Sequence, residues 1–177
     1  MTDAELARLL RERAYLEGDF VLRSGRRSSY YLDKYRFETH PRLLGALAER
    51  IAARAAEAGD GSPDLLAGPE LGAVALAAAV SLESGIPFLI VRKEAKSYAT
   101  ERRIEGAYDA GQRVCLVEDV VTTGGAAVSA VHALREAGLE CRRAVCVVDR
   151  DEGGADALAR QAVRLHPLFR ASEIADA

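Results

Sequence analysis

Residues 113–150 read RVCLVEDVVTTGGAAVSAVHALREAGLECRRAVCVVDR. An apolar run at 113–119 ends in two acids, a helical pattern fills 126–138, and a second apolar run covers 142–150. Strands that stay apolar without alternating are buried on both faces, as in a parallel sheet covered by helices. The pattern continues outward. DLLAG (64–68) reads as a strand, AVALAAAVSLESG (73–85) as a helix and PFLIVRK (87–93) as a strand. Before them, PRLLGALAERIAARAAEAG (41–59) starts on proline and stops on glycine, the usual asymmetry of helix ends. Residues 3–15 predict a helix behind Thr2 and Asp3, with Leu6, Leu9, Leu10 and Arg13 at helical spacing. FVLRSG (20–25) and SSYYLD (28–33) predict a hairpin across Gly25-Arg26-Arg27. The expected fold is α/β, a central, mainly parallel sheet flanked by helices. It forms one domain over 1–177, with a core at about 41–160. A small hood is expected from about 1–40 plus the C-terminal segment, and VRLHPLF (163–169), like the hairpin, is expected outside the core.

Composition narrows the function classes. With 177 residues, 49% hydrophobic and 29% charged, the chain suits one globular domain rather than a disordered segment. A net charge of −3 argues against broad binding to nucleic acid or anionic membranes. No apolar run has the length of a membrane span, and MTDAEL lacks the layout of a signal peptide, so a cytoplasmic protein is expected. Cys115, Cys141 and Cys146 lie in apolar runs without metal-ligand spacing and read as small buried side chains. His40, His132 and His166 are scattered and receive no role. Among 24 basic residues only Lys34, Lys93 and Lys96 are lysines, and two of these fall in one segment.

In a doubly wound sheet, ligands bind beyond the C-terminal ends of the strands. Four such ends carry suggestive residues: GPELG (68–72), RKEAK (92–96), EDVVTTGG (118–125) and DRDEGG (149–154). Thr122, Thr123, Gly124 and Gly125 lie between strand and helix, where backbone N–H groups and hydroxyls can hold a phosphate without a cation. The lysine of a Walker loop and the G-x-G-x-x-G of a dinucleotide fold are both missing. Taken alone, these four residues equally suit an ordinary strand-to-helix turn. Glu118 and Asp119 decide otherwise. Two acids ending a buried strand are costly unless they bind something, and they would repel a triphosphate. They suit the neutral 2- and 3-hydroxyls of a ribose whose 5-phosphate sits in the loop.

The apolar run followed by EDVVTTGG resembles the phosphoribosyl-pyrophosphate (PRPP) motif of type I phosphoribosyltransferases. FVLRSGRRSSYYLD (20–33), RKEAKSYATERRIEG (92–106) and VVDRDEGG (147–154) resemble the hood, catalytic loop and D-R-x-E-x-G segment of the orotate phosphoribosyltransferases, in the expected order. The resemblance implies transfer of phosphoribose from PRPP to orotate, giving orotidine 5′-monophosphate and pyrophosphate, in pyrimidine synthesis. It implies PRPP binding by Arg92, Lys93, Lys96, Glu118, Asp119, Val120, Val121, Thr122, Thr123, Gly124 and Gly125. Arg92, Lys93, Lys96 and Asp119 become candidate catalytic residues, the three cations neutralising pyrophosphate. Mg²⁺ is expected mainly through PRPP, with Asp119 as a candidate ligand. Orotate is assigned to Arg23, Tyr31, Thr122 and Arg150, with Tyr30 the second candidate for a flat apolar wall and hairpin packing the alternative for both tyrosines. Residues 97–103 are the implied lid. The family's loop enters a neighbouring subunit, implying a homodimer.

Two positions depart from the family's pattern. Tyr98-Ala99 stand where many members have histidine and glycine, and Glu70-Leu71-Gly72 where some carry a pyrophosphate-binding lysine. Two other readings remain at this point: an enzyme for another base, and a PRPP-sensing regulator without turnover. Arg150 and the hood favour a carboxylated base, and the loop lysines favour an enzyme.

Overall fold

The structure is a computed structural model that describes residues 1–21, 25, 27–57, 61–94 and 103–177. The chain opens with α1 (Asp3–Ala14), β1 (Tyr15–Val21), β2 (Arg27–Leu32), α2 (Tyr35–Glu38) and α3 (Pro41–Glu57). β3 (Leu65–Pro69), α4 (Gly72–Ser84), β4 (Phe88–Val91), β5 (Ile104–Glu105), β6 (Arg113–Val121) and α5 (Gly125–Glu136) follow. β7 (Glu140–Asp149), α6 (Gly154–Ala159), β8 (Arg164–Arg170) and α7 (Ala171–Ala175) complete it. Helix ends carry the expected chemistry. Glu5 N–H donates to the Thr2 hydroxyl (3.2 Å) and Thr2 N–H to the Glu5 carboxylate (2.7 Å), a reciprocal cap for α1.

Six strands form one sheet in the order β5-β4-β3-β6-β7-β8, with every pair parallel except β4–β5. Successive side chains leave opposite faces. Cys115 and Val117 of β6 therefore join Leu66, Val145, Leu47, Ile51 and Leu76 on the side of α1, α3 and α4. Val114 and Leu116 join Ala67, Ala144, Val131, Leu134 and Leu158 on the side of α5 and α6. Each fully buried leucine contributes roughly 2 kcal/mol of transfer free energy, which explains why strand and helix patterns are plain in the sequence. The chain leaves β3 toward β4 and later returns on β3's other flank as β6. That topological switch places the ends of β3 and β6 side by side.

Three local expectations need correction. The 163–169 segment is not outside the core, because β8 pairs in parallel with β7 as the sheet's edge. With one strand neighbour and partial burial, it lacks the continuous apolar run of a central strand. In the polar stretch after Lys93, β5 adds an antiparallel pair, Ile90 with Glu105 and Val91 with Ile104. In the hood, β1 begins at Tyr15, directly after α1, and its register with β2 shifts between Glu17 and Phe20. The shift around Gly18 and Asp19 hides the strand's alternation.

Candidate active site

Glu118 and Asp119 end the apolar part of β6 and are almost wholly enclosed, at 6% and 4% exposure. Both oxygens of Asp119 are engaged. Oδ1 accepts from the Val120 N–H (2.5 Å) and Oδ2 from Lys34 Nζ (2.5 Å). Lys34 comes from the turn before α2, and Glu38, at the end of that helix, lies beside the same carboxylate. Neither Glu118 Oε1 nor Glu38 Oε1 has a hydrogen-bond partner. Sequence reasoning missed Lys34 and Glu38. The scarcity of lysine was the available signal for the first, and nothing marked the second.

Three acids around one ammonium cannot all ionise cheaply away from water. Burial, and then the charge of Asp119, push Glu118 up to about 8. The same causes push Glu38 up to about 8. Burial disfavours the Lys34 ammonium, but Asp119, their hydrogen bond and Glu38 outweigh it and hold the pKa above the usual lysine value. A carboxyl with a raised pKa contributes stability that is intact below its unfolded value near 4.5 and is lost as pH rises through about 8. Glu118→Gln is therefore expected to raise the melting temperature of the ligand-free protein relative to the parent at about pH 9, and to match it at about pH 5. An equal gap at both pH values would show that Glu118 ionises normally.

After β6 the chain turns through Thr122 and Thr123 into α5, with Gly124 as the N-cap at φ 82°. The first turn of α5 presents N–H groups that have no intrahelical acceptor, and the helix dipole favours an anion there. A Cβ on Gly124 would lie 3.0 Å from both the Cα and the carbonyl oxygen of Gly154. A Cβ on Gly154 would in turn meet Thr122 O at 2.7 Å and collide with Val121 Cγ1. The two loops thus touch backbone to backbone, and Arg150 N–H donates to Val121 O (2.9 Å). Gly154, the second glycine of DRDEGG, allows this approach, a role that the sequence did not reveal.

Arg150, at 9% side-chain exposure, lies 3.0 Å from Glu152 Oε1 through Nε, a close ion pair too poorly aligned to count as a hydrogen bond. Its guanidinium carbon sits 4.7 Å from the centre of the Tyr30 ring, and Tyr30 also stacks on Tyr15 at 4.9 Å. Tyr31 leaves the other face of β2 and tilts against Phe20 at 5.7 Å. The structure therefore brings Tyr30 to Arg150 and leaves Tyr31, the preferred aromatic in the sequence, away from it. Arg23 lies outside the described residues.

At the ends of β3 and β4, Glu70 organises the basic segment. Its Oε1 accepts from Lys93 N–H (2.6 Å), and its N–H donates to Val91 O (2.9 Å). Arg92 is placed between Glu70 (3.9 Å) and Glu105 (3.7 Å), and Lys93 is exposed. Glu70 therefore anchors the backbone at Lys93, the start of the basic segment. Lys96, Tyr98 and Ala99 lie outside the described residues. Among the described residues no group of three or more potential ligands is arranged to hold a metal ion.

The chain is similar to known proteins along nearly its whole length. The phosphoribosyl transferase domain family matches residues 36–162. The orotate phosphoribosyltransferase of Methanocella arvoryzae is 47% identical over 173 residues, covering 97% of each chain. The crystal structure of the Aeropyrum pernix orotate phosphoribosyltransferase aligns with a TM-score of 0.85 at 34% identity, covering 97% of this chain and 96% of that one. The Mycobacterium tuberculosis H37Rv enzyme in complex with PRPP aligns with a TM-score of 0.82 at 32% identity, covering 98% of both.

Proposed function

We propose, from the premise that this chain belongs to the orotate phosphoribosyltransferase family, a division of labour among the strand ends. The chain is an orotate phosphoribosyltransferase. It transfers the 5-phosphoribosyl group of PRPP to orotate and releases pyrophosphate, a step of pyrimidine biosynthesis. The ribose 5-phosphate is received by Thr122, Thr123, Gly124, Gly125 and the first turn of α5, and the ribose hydroxyls by Glu118 and Asp119. Arg92 and Lys93, with Lys96, neutralise pyrophosphate. Arg150 takes the orotate carboxylate, and Tyr30 supplies the adjoining ring. The observation that supports this assignment is the contact between the Gly124 and Gly154 loops, where Arg150 N–H donates to Val121 O just before the turn at 122–125.

The reaction asks the protein for placement and charge. The bond from ribose C1 to pyrophosphate oxygen breaks with its electron pair leaving on pyrophosphate, while an orotate ring nitrogen gives the pair that forms the new bond to C1 and releases its N–H proton to pyrophosphate or solvent. Holding both partners in line removes most of the entropic barrier, and the basic segment supplies cations to meet the developing negative charge. Mg²⁺ fits as an ion carried mainly by PRPP. It commonly keeps several waters and binds one or two carboxylates plus substrate phosphates, and Asp119 is the carboxylate we propose for that role, its Oδ2 being held by Lys34 in the structure. Bound in this way, it would neutralise the leaving group. The reading also carries a cytoplasmic homodimer whose loop from Arg92 enters the neighbouring site.

The test follows the absorbance of orotate with PRPP and Mg²⁺, with adenine, hypoxanthine and uracil as controls. Orotate is expected to be consumed one for one with PRPP, the controls to be untouched, and chelation of Mg²⁺ to stop turnover. No loss of orotate under conditions where PRPP binds would overturn the assignment.

A further inference from the structure

The pair formed by Lys34 and Asp119 joins residues 85 positions apart, and three features set it apart from an ordinary surface ion pair. First, the carboxylate is 4% exposed while the lysine side chain is 32% exposed, so the pair lies at the boundary between interior and cleft. Second, its space is kept by a missing side chain. A Cβ on Gly72, the first residue of α4, would collide with Asp119 Oδ2 and stand 2.8 Å from Lys34 Nζ and 2.9 Å from Glu38 Oε1. Three polar atoms thus occupy the volume that any other residue at position 72 would fill. Third, arginine supplies every cation of this chain except Lys34, Lys93 and Lys96. A compact ammonium fits the confined space against Gly72, whereas a broad planar guanidinium does not.

The position of Lys34 in the chain adds to this. Tyr30, which touches Arg150, precedes it in β2, and α2, which holds Glu38, follows it. One short segment joining hood to core therefore reaches both the residue assigned to the base and the acid assigned to the ribose.

We propose that Lys34 is a positioning residue for PRPP, acting through Asp119: it fixes the carboxylate and supplies a cation beside three crowded acids. The proposal rests on the assignment of Asp119 to the ribose. Without Lys34, Asp119 loses its Oδ2 partner and faces Glu118 and Glu38 without the ammonium that now offsets their charge. A carboxylate in that state presents the wrong orientation and charge to a hydroxyl pair.

A double-mutant cycle between Lys34 and Asp119, read in steady-state kinetics with both substrates varied, tests this. Lys34→Met is expected to raise KM for PRPP about tenfold or more, with KM for orotate within about twofold of the parent. In an Asp119→Asn background the same substitution should change KM for PRPP by less than about twofold, because the group it acts through is gone. Equal effects of Lys34→Met in both backgrounds, or parental kinetics of the single variant, would overturn the inference while leaving the ribose assignment in place. An unchanged PRPP KM in Asp119→Asn alone would instead overturn the ribose assignment. Should Lys34→Met fail to fold, Lys34→Gln combined with Glu38→Gln, which removes an acid together with the cation, is taken through the same cycle.

Discussion

Gly124→Val is expected to lower kcat/KM for PRPP by about three orders of magnitude and to reduce the melting temperature. Gly124 has φ 82°, a region that a β-branched residue enters only under strain. Its Cβ would also press on Gly154 at 3.0 Å and on the Ala157 methyl at 3.1 Å. Two backbones meet there, so neither side can yield by a side-chain rotation. The loop must move, and a displacement of about 1 Å can cost on the order of a hundredfold in a reaction governed by placement. Strain of roughly 1–3 kcal/mol adds to that. Calorimetric titration with PRPP and a thermal melt measure the two parts. Gly125→Ala serves as the comparison, since a Cβ at Gly125 meets nothing within 4 Å and the residue has no positive φ; its melting temperature should match the parent. Parental PRPP affinity in Gly124→Val would remove the loop contact from the mechanism.

Arg150→Met is expected to raise KM for orotate about a hundredfold while KM for PRPP stays within about twofold. The guanidinium is nearly enclosed and held by Glu152 and the Tyr30 ring, so its orientation is set before a ligand arrives. A preoriented fork suits a carboxylate, and an enclosed charge–charge contact is worth several times a solvated one. Methionine keeps the length and the apolar packing but removes the charge, and Arg150→Lys should recover little because an ammonium cannot reproduce the paired contact. The split between the two KM values is the decisive reading. Equal losses for both substrates would mean that the Gly124–Gly154 contact has collapsed, and that Arg150 supports the loop instead of reading the base.

Most of the architecture was legible in the sequence because it depends on neighbours along the chain. The central strands are unbroken apolar runs since both faces are covered, and α4 ends on Gly85, whose backbone preference is local. The acids and small residues of the PRPP motif were legible too, because a strand-to-helix turn brings them together within eight residues, 118–125. Elements with half the burial were not. β5 spans two residues, and β8 sits at the edge with one strand neighbour, so neither carries a periodic signal strong enough to separate it from a loop.

By itself, the sequence determined the α/β class, the alternation of β3, β4, β6 and β7 with α3, α4 and α5, and the chemistry gathered at the ends of those four strands. Tertiary structure alone decided which of those residues touch. Tyr30 rather than Tyr31 reaches Arg150, because the register of the β1–β2 hairpin settles which face of β2 meets the core. Lys34 meets Asp119 across 85 residues, Glu70 anchors Lys93, and Gly154 backs Gly124, each through strands or helices that are distant in the chain. The physical reason is one of range. Periodicity and capping report interactions over a few residues, whereas a charge pair or a backbone contact in the cleft exists only once the sheet has brought separate strand ends to one edge.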